Sequence, residues 1–101
     1  MAASLHALAT LSRYQHNYER AESLYQRALH IREHNQPHHP DLATLFFDVA
    51  AFEHARGNDQ AAVDLYQRAL AIQKQALPAQ HPAIVATEKA YAEVLQAIAF
   101  P

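Results

Sequence analysis

The chain has 101 residues, half of them hydrophobic, with one glycine, five prolines, no cysteine, no tryptophan and a formal charge of −2. That length suits one domain, the missing cysteines exclude disulfides, thiolate zinc sites and cysteine nucleophiles, and the near-neutral charge without any Lys/Arg run argues against nucleic acid as a partner. No stretch of about 18 apolar residues occurs, and the N-terminus has neither a basic n-region nor the uninterrupted apolar run of a secretory signal, so no membrane role is expected and cytoplasm is the default compartment.

Helix formers dominate, and the apolar residues recur at helical rather than strand spacing. Leu5, Leu8, Ala9 and Ser12 share one face of a helix expected over 3–15. The turn QHNY follows, where Asn17 can adopt the left-handed conformation. A second helix over 18–35 carries the stripe Ala21, Leu24, Tyr25, Ala28 and Leu29, and stops before Pro37 because the residue preceding a proline is pushed away from helical geometry. The segment from 30 to 40 reads HIREHNQPHHP and holds four of the eight histidines. His30 and His34 stand i, i+4 on one helix face, a two-point start for zinc or nickel to which His38 or Glu33 could add a third ligand. No HExxH order is present, and histidines on a solvated helix end need no common purpose. No metal ligand and no cofactor are therefore assigned, and metal binding ranks a distant third among the functions considered.

Pro40 opens a third helix over 40–56, with Asp41 in its first turn, where a negative charge suits the helix dipole. Its stripe is Phe46, Val49, Ala50 and Glu53. After the turn RGND, where Gly57 or Asn58 can be left-handed, a fourth helix over 59–76 carries Ala62, Leu65, Tyr66, Ala69 and Leu70 and ends before Pro78. His81-Pro82 starts a fifth helix over 82–99, which has no partner and mixes Glu88, Lys89, Glu93 and Gln96 with Ile84, Tyr91, Val94, Leu95 and Ile98.

The sequence repeats itself. LYQRAL occurs at 24–29 and at 65–70, 41 positions apart, and HPDLAT from His39 is echoed by HPAIVAT from His81, 42 positions on. Residues that recur with the period belong to the architecture. Tyr25 and Tyr66 are thus read as packing residues, and His39 and His81 as helix starters.

These features resemble the tetratricopeptide repeat family: LYQRAL with a small residue three places before it, a small residue in the middle of each first helix (Ala9, Ala50, Ala92), and HPDLAT opening the next unit. The period of about 42 resembles its kinesin-light-chain-type form. The resemblance implies an all-α fold, a right-handed α-solenoid of antiparallel helical hairpins with five helices. It also implies a single domain over 1–101, with repeat one at 3–37, repeat two at 40–78 and a terminal helix at 82–99. By the same resemblance the chain is a non-catalytic interaction module that binds a peptide segment of a partner protein in a concave groove. The groove-facing positions are His6, Thr10 and Arg13 in the first helix, Thr44, Phe47 and His54 in the third, and Lys89, Glu93 and Gln96 in the fifth. An asparagine-based carboxylate clamp is not expected, because Asn17, Asn35 and Asn58 all fall at turns or helix ends. Arg13, Lys89 and the histidines around Phe47 suit an acidic or aromatic-containing peptide.

Catalysis has no support: none of Ser4, Ser12 and Ser23 lies in a nucleophile elbow, and one glycine cannot make a phosphate-cradling loop. The second function class is a self-associating scaffold. Two and a half units are few for a repeat stack, which suggests the C-terminal part of a longer repeat protein. An end face of Leu5, Leu8 and Leu11 would then drive stacking or a homodimer.

Overall fold

A computed structural model describes residues 1–100. Five helices follow one another: α1 (Ala2–Tyr14), α2 (Tyr18–Asn35), α3 (Pro40–Ala55), α4 (Asp59–Ala76) and α5 (Pro82–Ala99). No strand occurs among the described residues, and the fold is an all-α helical repeat. The described residues form two compact units, Met1–Pro37 with α1 and α2, and the residues from His38 onward with α3, α4 and α5.

The same turn closes both hairpins. In the first, Asn17 N–H donates to Ser12 C=O at 2.9 Å and His16 N–H to Arg13 C=O at 3.0 Å; in the second, Asn58 N–H donates to Glu53 C=O at 2.8 Å and Gly57 N–H to His54 C=O at 3.0 Å. These are the paired bonds of a Schellman motif, which needs one left-handed residue. Gly57 supplies it with φ 86°. In the first hairpin the residue is His16, at φ 63°, and not Asn17. Asn17 instead caps α2, its side chain accepting from Arg20 N–H at 3.4 Å.

The proline signals act as their chemistry requires. Leu77, before Pro78, is extended at φ −125°, ψ 155°, and α4 ends one residue earlier. His39 and His81, before Pro40 and Pro82, are also extended, and each ring Nδ1 accepts a backbone N–H two residues on, from Asp41 and from Ala83, both at 3.0 Å. An imidazole thus does the work usually given to Ser, Thr or Asp at this position. Accepting through Nδ1 places the neutral ring's hydrogen on Nε2.

Small residues set the packing. In the first unit Ala9, Ala21 and Ala28 are fully buried, so α1 and α2 approach closely around Tyr25, Leu5, Leu24 and Leu29. In the second unit Ala50, Ala62, Tyr66 and Val94 form a cluster with Phe47, Val63, Leu65, Ala90 and Tyr91 against it. Each large apolar side chain so buried contributes about 1.5–3 kcal/mol. One stripe position departs from expectation: Leu5 turns into the first hairpin, while Leu8 remains 41% exposed beside exposed Leu11.

Candidate functional site

In the second unit α3 and α5 both pack against α4, and residues of all three helices enclose a pocket of about 200 Å³. Thr44 and Phe47 of α3, Gln73 of α4 and Ala83, Ala86 and Thr87 of α5 line it. Thr44 and Ala86 are exposed at the rim, whereas Gln73 and Thr87 are buried at the floor. Phe47 forms the wall, half-buried, with its ring centroid 5.5 Å from that of Tyr66 in an edge-on arrangement. Edge-to-face contact holds the Phe47 ring in place and leaves its other surface toward the pocket.

Both hydroxyls of the lining are committed. Thr87 Oγ1 donates to Ala83 C=O at 2.9 Å and Thr44 Oγ1 to Pro40 C=O at 3.4 Å. Gln73 Oε1 is shielded from solvent and accepts no hydrogen bond. The lining contains no titratable side chain and offers apolar surface, the Phe47 ring and one unsatisfied acceptor.

The sequence-derived positions distribute unevenly. Thr44 and Phe47 meet at the pocket. His54, on the same helix, pairs its Nδ1 with Asp59 Oδ1 at 2.7 Å across the α3–α4 turn. Lys89, Glu93 and Gln96 are exposed on α5 and do not line the pocket. In the first unit His6 and Thr10 gather on Tyr25: Thr10 Oγ1 lies 3.3 Å from its hydroxyl, and the His6 ring meets its ring edge-on at 6.1 Å. Arg13 is half-buried on the same helix. By repeat spacing His6, Thr10 and Arg13 hold the places of Phe47, Ala51 and His54, 41 positions later. Gln73 was not foreseen. It belongs to a second helix, where sequence spacing marks it only as a polar residue beside the LYQRAL stripe, and its burial depends on α5 closing over it.

The two histidines of α2, His30 and His34, bring their ring centroids to 4.7 Å. Among the described residues no group of three or more His, Cys, Asp or Glu is placed to hold a metal ion. Nor is any helix among them long and apolar enough to cross a membrane.

Helical hairpins repeating at 41–42 residues, with alanines at the crossings, define a helical-repeat protein. The tetratricopeptide repeat family model matches residues 1–75, and the chain belongs to that family. Among solved structures it is similar to the nearly identical TPR-like repeats of a presumptive kinesin light chain from Podosopora anserina, with a TM-score of 0.82 and 26% identity. That match covers 96% of this chain and 46% of the other, so the chain spans about half the length of its structural relative. No curated protein matches the chain. Tetratricopeptide repeats generally mediate protein–protein interaction and typically serve as non-enzymatic scaffolds.

Proposed function

We propose that this chain is a non-catalytic peptide-recognition module, a single repeat domain that binds an extended or helical segment of a partner protein at the face formed by α3 and α5. The observation that carries the reading is the pocket at Phe47. Its volume of about 200 Å³ falls below the roughly 300–1,000 Å³ of sites that enclose a small molecule. A pocket of that size with an aromatic wall suits a single anchoring side chain of a longer ligand, the pattern of an interface hot spot. Exposed Lys89, Glu93 and Gln96 on α5 then supply the polar rim, and His6, Thr10 and Arg13 hold the equivalent places in the first repeat.

A random-peptide display selection against the immobilised chain tests this, repeated on Ala86→Arg. Ala86 is exposed at the rim, so the longer side chain obstructs the pocket without entering the core. Enrichment of one motif that disappears in the variant, whose helical circular dichroism stays unchanged, is the expected result. A motif that binds the variant equally well places recognition elsewhere on the chain.

A second reading rests on the exposed apolar residues of α1, Leu8 and Leu11, which lie one turn apart. Self-association through them would make the chain a scaffold.

A further inference from the structure

Gln73 is 94% buried by its 6% exposure, and its carbonyl oxygen accepts nothing. A buried acceptor without a donor is uncommon and destabilising in a native fold. The lining cannot supply the donor, because both of its hydroxyls already donate to backbone carbonyls. A group seated in the pocket can supply the missing hydrogen. The last torsion of a glutamine side chain is soft, so the carboxamide can turn its oxygen toward a group seated in the pocket.

Three properties select that group. A cationic donor is excluded, because the lining holds no acid to compensate its desolvation. A hydroxyl on a short side chain would leave the wall of Phe47 without a partner. An apolar ring with a neutral donor satisfies both, and the volume chooses between the two aromatic donors. An apolar cavity of about 150 Å³ accommodates benzene. About 200 Å³ has room for that ring and one more polar atom at its tip, which describes a phenol better than a fused indole.

We propose that the pocket of Thr44, Phe47, Gln73, Ala83, Ala86 and Thr87 is a subsite for one tyrosine side chain of a bound peptide, with Gln73 Oε1 accepting its hydroxyl hydrogen. The assignment rests on the peptide-recognition reading above and adds to it the identity of the anchor. The ring stacks at the Phe47 wall, and the hydroxyl reaches the floor. Phenylalanine would fill the same space and leave Gln73 unsatisfied.

Peptides enriched by display are measured singly by fluorescence polarisation against the native chain and against Gln73→Met, which keeps the side chain's shape and removes the acceptor. The expected motif contains a tyrosine whose change to phenylalanine weakens binding about 3- to 10-fold in the native chain, the effect of one hydrogen bond, and less than about twofold in Gln73→Met. A motif without tyrosine, or with a tyrosine indifferent to Gln73, overturns the subsite and leaves peptide recognition standing. If no motif is enriched, the peptide reading falls, and p-cresol and toluene titrated into the labelled chain by NMR decide the pocket alone. A preference for p-cresol that is lost in Gln73→Met supports the donor-seeking pocket; equal binding, or none, overturns it.

Discussion

At the scale of single residues, polar groups here are placed by what the backbone lacks. His39 and His81 accept the N–H of the second residue of the helices they open, a group left over at every helix start. Replacing His81 by alanine removes that acceptor and is expected to cost about 1 kcal/mol, whereas aspartate, a strong capping residue, holds stability within a few tenths of that of the native chain. Urea denaturation of the two variants separates capping from packing, since a packing role would make both destabilising. Gln73 presents the opposite case. Its unsatisfied carbonyl penalises the unliganded fold, so Gln73→Met is expected to raise stability by about 1 kcal/mol, visible as a melting temperature several degrees higher for a chain of this size. A lower melting temperature would mean that the amide makes a contribution its geometry does not display.

At the scale of elements, the repeat places one alanine in the middle of each first-type helix, but its burial differs. Ala9 and Ala50 are fully buried, and Ala92, the corresponding residue of α5, is exposed. The difference arises because α1 and α3 each receive the following helix on that face, while α5 is held through other residues. Those are the buried side of Ile84, Thr87 and Val94, Tyr91 accepting from Gln67 Nε2 at 2.8 Å, and Glu88 facing Lys74 at 3.8 Å. Ala50→Leu is therefore expected to overpack the crossing of α3 and α4 and to cost about 1–3 kcal/mol. Ala92→Leu, the same substitution at the same repeat position, should stay within about 0.5 kcal/mol of the native chain. Thermal melts of the pair measure the contrast, and equal losses would show that α5 carries a covered face after all.

At the scale of the whole molecule, the competing functions make different demands on the number of chains. Peptide recognition needs only one chain and an open Phe47 pocket, whereas a scaffold built by self-association needs Leu8 and Leu11 covered by a second copy. Leu8 is 41% exposed and Leu11 51%. Sedimentation equilibrium across concentration distinguishes the two. A mass that rises with concentration, and returns to that of one chain in Leu8→Glu, supports association through α1; a constant mass of one chain leaves the residues as ordinary exposed side chains. The glutamate stands on an exposed position, so a loss of association in that variant does not reflect unfolding.

The sequence alone determined the helices, their order and their joints, because those depend on local chemistry: apolar spacing within a turn or two, proline's fixed backbone, and the recurrence of LYQRAL and His-Pro at 41–42 residues. It also marked Thr44 and Phe47, which follow from which face of a helix the packing stripe leaves over. Tertiary structure alone decided the rest. Asn17 and His16 both stand in the first turn, and only the closed hairpin shows that His16 takes the left-handed position and frees Asn17 to cap. Leu5 and Leu8 read alike on a helical wheel, yet one is covered and the other is not. Gln73 becomes a buried, unsatisfied acceptor only when α3, α4 and α5 enclose it. Burial is a property of the assembled neighbours, and no spacing along a single helix contains it.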